Sequence, residues 1–138
     1  AGAIIGKSKE ELLGKSFSLT KNFWEHYPLD STIKEVAEGS FKTRNPPQIY
    51  ASGYVVKTLE AALWAFYHTD DFESGALKAV NLGDDADTVG AVYGQIAGAY
   101  YGMSGIPQHW LTRVYRNLEI EVAAECLYEL GVKQMSGK

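Results

Sequence analysis

Cysteine is nearly absent from the chain. Cys126 stands alone, so no internal disulfide can form, and a reducing, cytoplasmic compartment is expected. An excess of basic residues is missing too: 13 Lys and Arg against 17 Asp and Glu leave a formal net charge of −4, which offers no basic stripe to a nucleic acid. No apolar run reaches the ~20 residues of a membrane span, and neither a leader nor a transmembrane segment is expected. No stretch alternates apolar and polar residues well enough to be a strand. What remains is a chain of 138 residues with 46% hydrophobic content, enough for a single domain with a modest core and too apolar for disorder. The fold class these features imply is all-α, a compact bundle-like domain.

The helices announce themselves by caps and periodicity. Ser8-Lys9-Glu10-Glu11 is a capping-box pattern for a short helix that Gly14 ends. Residues 15–27, rich in Phe17, Phe23, Trp24 and Tyr27 but without periodicity, read as a loop whose rings pack on the body. Asp30 and Ser31 cap a helix through Glu38, stopped by Gly39. Pro46-Pro47 bars helix and favours extended backbone over residues 41–51. Val55, Leu59, Ala62, Leu63 and Phe66 mark one face of a helix over residues 53–67, and Asp71 caps another that runs to Val80. Pro107 suits the first turn of a short helix with Trp110 and Leu111. A last helix over residues 116–130 carries Ile120, Ala123, Leu127 and Leu130 on one face and stops at Gly131, with residues 132–138 expected to fray. Cys126 is expected to be a small buried apolar group. The opening Ala1-Gly2-Ala3-Ile4-Ile5-Gly6 reads as the tail of a small-residue helix, as in a truncated or processed product, or else as a purification remnant.

One stretch carries the chemistry. Gly83-Asp84-Asp85-Ala86-Asp87-Thr88 places three carboxylates and a hydroxyl at the start of an apolar helix that continues through Val89, Val92, Tyr93, Ile96, Ala97 and Tyr100. Such a cluster repels itself unless a cation neutralises it, and hard divalent cations favour these oxygens. The competing reading is a helix cap, because Asp and Thr are good N-cap residues and carboxylates suit the positive end of the helix dipole. Gly90, Gly94, Gly98 and Gly102 recur at every fourth position. Each interior glycine costs about 1 kcal/mol against alanine, so close approach of another backbone is expected along that face.

These residues carry a resemblance. Gly83-Asp84-Asp85-Ala86-Asp87-Thr88-Val89-Gly90, followed by Gly94-Gln95-Ile96-Ala97-Gly98-Ala99-Tyr100-Tyr101-Gly102, resembles the C-terminal signature of the ADP-ribosylglycohydrolase family. Ser52-Gly53-Tyr54-Val55-Val56-Lys57-Thr58-Leu59-Glu60-Ala61-Ala62-Leu63-Trp64-Ala65-Phe66 upstream and Ile106-Pro107-Gln108-His109-Trp110 downstream are similar to it in the same order and spacing. The resemblance implies an all-helical domain holding two Mg2+ ions, or Mn2+, and hydrolysis of the glycosidic bond between ADP-ribose and an acceptor. That acceptor is a modified protein side chain or a small molecule. In the family's Gly-Gly-Asp-Thr-Asp-Thr form the two aspartates and the final threonine bind metal, which assigns Asp85, Asp87 and Thr88 here. Asp84 replaces the second glycine, a departure from the pattern. Tyr54, beside the family's substrate cleft, is either a ligand-contacting ring or one packed at a helix start.

Family members are about twice this length, and the acidic ligands of their first half have no counterpart here. The whole of residues 1–138 is therefore expected to be the C-terminal part of such a domain. By itself it is expected to bind divalent ions weakly and to hydrolyse nothing, and no general acid is identified in it. A second copy of the chain or a complementing N-terminal half is the expected cover for its exposed apolar surface. The rival from another class is a catalytically silent helical binding module of the same fold.

Other sources of the acidic motif fail. The Asp-x-Asp loop of haloacid-dehalogenase-type phosphatases follows a buried strand, and Lys78-Ala79-Val80-Asn81-Leu82-Gly83 is a poor one. An EF-hand counted from Asp85 would need oxygen ligands where Val89 and Ile96 stand. His26, His68 and His109 lie apart, without zinc spacing, and are expected to be packing or surface residues.

Overall fold

The computed structural model describes residues 1–136, and among these residues it contains nine α-helices and one 3₁₀ turn with no strand. The helices are α1 (Lys9–Leu12), α2 (Phe23–His26), α3 (Ser31–Ala37), α4 (Ser40–Thr43), α5 (Val55–Tyr67), α6 (Phe72–Val80), α7 (Ala86–Tyr101), α8 (Gln108–Leu111) and α9 (Asn117–Ser136). The chain divides into two compact units, Ala1–Ile106 and a shorter one from Pro107 onward.

In the first unit α5, α6 and α7 pack on one another, with α3 and α4 against α5. The contact surfaces follow from residue size. Ala61, Ala62 and Ala65 of α5 are fully buried, so neighbouring helices approach its backbone closely, while Phe66 fills the space beyond them. On α7 the buried residues are Val89, Tyr93 and Ala97, spaced by four and hence stacked on one face. Phe66 meets the edges of Tyr100 and Tyr101 at centroid distances of 5.3 and 5.9 Å, closing the α5–α7 seam.

The caps form as the sequence predicts. Ser8 and Glu11 make the reciprocal capping box of α1, the Asp30 carboxylate accepts from the Thr32 amide at 2.9 Å, and Asp71 accepts from the Ser74 amide at 2.7 Å. Gly39, at φ 101°, ends α3 in the left-handed conformation that glycine tolerates.

Several expectations change. Residues 1–6 form turns, not helix. The aromatic stretch holds a one-turn helix, α2, where Phe23 meets Trp24 edge-on at 4.9 Å and the Trp24 indole donates to the Phe17 carbonyl at 3.1 Å. Residues 40–43 also close one turn before the extended backbone begins at Arg44. Finally, α9 runs through Gly131 to Ser136, past the predicted stop and into the tail expected to fray, of which residues 137–138 lie outside the described residues. Gly131 is not among the glycines with positive φ, so it continues the helix instead of capping it. Cys126, expected to be buried, is exposed, and so are Ile120, Leu127 and Leu130 of the marked face.

The glycine face of α7 also differs. A Cβ added at Gly90 would come within 2.9 Å of Val80 Cγ1, but none added at Gly94, Gly98 or Gly102 would meet an atom within 4 Å. The spacing does place these residues on one face, yet among the described residues no other backbone lies against most of it.

Candidate metal centre

The acidic turn is built by two consecutive left-handed residues. Gly83 has φ 75° and Asp84 φ 48°, and the reversal delivers Asp85 to the N-cap of α7. Aspartate is one of the few side chains that tolerate this conformation, which explains how Asp84 can stand where the family pattern has glycine. Helix α7 starts at Ala86, slightly before the predicted position near Asp87 or Thr88.

Asp85 occupies the capping position but caps no backbone amide. Its half-buried carboxylate instead accepts the Thr88 hydroxyl at 2.6 Å. Asp87 and Asp84 are exposed, and among the described residues none of the three carboxylates takes part in an ion pair. The contrast with Asp30 and Asp71, which do cap, argues against capping as the purpose of Asp85. Among the described residues no group of three or more His, Cys, Asp or Glu converges as a metal site. The turn therefore offers the Asp85 carboxylate with the Thr88 hydroxyl beside it, and the exposed Asp84 and Asp87, oxygen donors of the type a hard cation takes but fewer than the six such an ion needs. A threonine hydroxyl that gives its proton to Asp85 still has lone pairs to share.

The second wall of the turn comes from the chain ahead of α5. A Cβ on Gly53 would lie 4.0 Å from Asp85 Oδ2, so this glycine sits against the carboxylate. Its neighbour Tyr54 is the N-cap of α5, 53% exposed as a residue, with its amide donating to Ser52 Oγ at 3.1 Å. The Thr58 hydroxyl donates to the Ser52 carbonyl at 2.7 Å and fixes the segment ahead of α5 from inside.

The histidines are accounted for by packing. His26 Nδ1 donates to the Asn22 carbonyl and His68 Nδ1 to the Trp64 carbonyl, each at 3.0 Å, and His109 stacks edge-on with Trp110.

The sequence reading missed Glu60. It is 1% exposed on α5, and its carboxylate accepts from Ser40 Oγ, from Arg44 Nη1 at 2.8 Å and from Lys57 Nζ at 2.9 Å. The only sequence signal was Lys57 three residues before it, on the same helix face.

A family model for ADP-ribosylglycohydrolase matches residues 1–136. The chain belongs to this family. It is 43% identical over 118 residues to the ADP-ribosylarginine hydrolase Tri1 of Serratia proteamaculans (strain 568), covering 85% of this chain and 32% of that protein. With the ADP-ribosyl-dinitrogen reductase glycohydrolase of Rhodospirillum rubrum it shares 42% identity over 72 residues, 52% of this chain and 24% of that protein. The solved structure of an ADP-ribosylglycohydrolase-related protein complex superposes with a TM-score of 0.80 at 44% identity, over 93% of this chain and 42% of that one. The family's all-helical fold is thus present, in a chain that spans about a third of the Serratia relative (32%). No helix among the described residues is long and apolar enough to cross a membrane.

Proposed function

We propose that the chain carries part of the catalytic centre of an enzyme that hydrolyses the glycosidic bond between ADP-ribose and an acceptor, with Asp85, Asp87 and Thr88 as ligands of divalent cations, Mg2+ or Mn2+. The observation that carries this reading is the Asp85 carboxylate, which stands at a helix start, caps nothing, and takes the Thr88 hydroxyl at 2.6 Å. Two relatives are named for arginine and for dinitrogen reductase as ADP-ribosylated acceptors, and an ADP-ribosylated protein is the substrate class we assign.

When bound, the cations would polarise substrate oxygens and make a coordinated water more acidic. The chain's own residues prepare that setting. Asp85 and Asp87 hold negative charge at the N-terminus of α7, where the helix dipole favours it. Thr88 orients the Asp85 carboxylate by donating its proton. Gly53 leaves room beside that carboxylate, and the exposed Tyr54 ring next to it offers a flat face for ribose or base. The remaining coordination positions fall to water, substrate or residues outside this chain, so isolated turnover is not expected.

The test is Mn2+ binding followed by electron paramagnetic resonance. Weak uptake by the protein, abolished in the Asp85→Asn, Asp87→Asn double variant with the helical spectrum intact, supports the assignment. Equal uptake by parent and variant rejects it.

A further inference from the structure

The strap of residues 44–54 runs without helix from the end of α4 to the start of α5, and it brings Gly53 against Asp85. Its anchors converge on one buried carboxylate. Arg44, at the root of the strap, bridges Glu60 at 2.8 Å and Glu35 of α3 at 3.0 Å. Lys57 bridges Glu60 at 2.9 Å and lies 5.6 Å from the centre of the Tyr50 ring in the middle of the strap. Ser40 of α4 supplies the third hydrogen bond. Burial pushes the Glu60 carboxyl up, but the hydrogen bonds from Ser40, Lys57 and Arg44 outweigh it, so the group titrates below the ordinary carboxylate range and stays charged.

A buried ion cluster is a poor way to gain stability, because well-packed apolar groups of the same volume do as well or better. What it adds is geometry: a fully satisfied network accepts one arrangement of its members. Here the members belong to α3, α4, the strap and α5. We infer that Glu60 is a positioning residue, whose carboxylate, held by Ser40, Arg44 and Lys57, fixes the strap that places Gly53 and Tyr54 beside Asp85. The Mn2+ part of its test rests on the metal reading proposed above, while the position of the strap does not.

The experiment compares the protein with Glu60→Gln, which keeps the shape and removes the charge, and with Ser40→Ala as a second variant in case the first does not fold. The expected result is displaced amide resonances at Gly53, Asp85 and Thr88, hydrogen exchange that accelerates over residues 49–54 more than over α6, and a Mn2+ dissociation constant raised severalfold, less than the roughly tenfold or more of direct partners of metal ligands because Glu60 acts through the strap. A variant that melts earlier while those resonances and the Mn2+ affinity stay at parent values overturns the inference and reduces Glu60 to fold stability. If the parent takes up no Mn2+, the metal reading fails separately. The Gly53, Asp85 and Thr88 resonances then decide alone: displaced, they support Glu60 as a positioning residue, and unmoved, they refute it.

Discussion

The Tyr93 side chain on α7 fills the space that a side chain at Gly75 on α6 would need. A Cβ at Gly75 would lie 2.5 Å from Tyr93 Cζ, closer still to its hydroxyl, and 2.6 Å from Thr69 Oγ1. Tyr93 cannot swing aside, since it is fully buried and its hydroxyl donates to the Phe72 carbonyl at 3.0 Å. Two effects of opposite sign meet in Gly75→Ala. Alanine gains about 1 kcal/mol of helix propensity, whereas overpacking a closed core costs ~1–3 kcal/mol. With three atoms inside contact distance the second effect wins, and urea denaturation is expected to show a net loss of about 1–2 kcal/mol. A neutral or stabilised Gly75→Ala would show that α6 and α7 are not packed this closely.

The same substitution on the open face of α7 has the opposite sign. Gly94 and Gly98 sit in the helix interior with ordinary φ, and a Cβ at either would meet nothing within 4 Å. Gly94→Ala and Gly98→Ala should each stabilise the protein by roughly 0.5–1 kcal/mol, through helix propensity and a less flexible unfolded chain. Thermal melts measure this directly. A loss at either site would reveal a neighbour on that face in solution.

Local features were legible in the sequence, and contacts between distant segments were not. The Ser8–Glu11 box, the Asp30 and Asp71 caps and the spans of α5 to α7 depend on neighbours within four residues, where spacing and propensity decide. The fourfold glycine repeat told which face those residues share, but what lies opposite is a tertiary fact that no period encodes. Gly131 failed as a stop for a related reason: glycine ends a helix only when it turns left-handed, and the residue type alone does not say that it will. The acidic turn was found from its residue types. Its pairing of Asp85 with Thr88 follows from i, i+3 spacing, yet the approach of Gly53, 32 positions earlier, depends on the strap and on Glu60.

Asp71 and Asp85 hold the same N-cap position on successive helices and do different things. Asp71 accepts from the Ser74 amide at 2.7 Å, and Asp85 accepts from no backbone amide. Asp71→Ala should therefore cost about 1 kcal/mol, the usual loss of a capping side chain. Asp85→Ala should cost under ~0.5 kcal/mol, because the exposed Thr88 hydroxyl that loses its partner can turn to water, and relief of repulsion among the carboxylates offsets the lost dipole interaction. Chemical denaturation of the two variants side by side measures the difference. Equal losses would restore capping as the role of Asp85.

Alkaline pH isolates the Tyr93 hydroxyl. Burial, reinforced by Tyr101 and Asp71 nearby, pushes its phenol up to about 12 from an ordinary value of 10.0. A raised folded-state value means that the contribution is complete below pH 10 and is lost as pH rises from there towards 12, because the unfolded chain releases its proton first. By pH 11 the loss is on the order of 1 kcal/mol. Tyr93→Phe removes both this liability and the hydrogen bond to Phe72, the latter costing about 1 kcal/mol at neutral pH. The parent should thus be the more stable protein at pH 7, and the two stability curves should meet near pH 11, with the phenylalanine variant ahead beyond it. Parallel curves between pH 8 and 12 would mean that the Tyr93 phenol ionises as readily in the folded protein as in the unfolded chain.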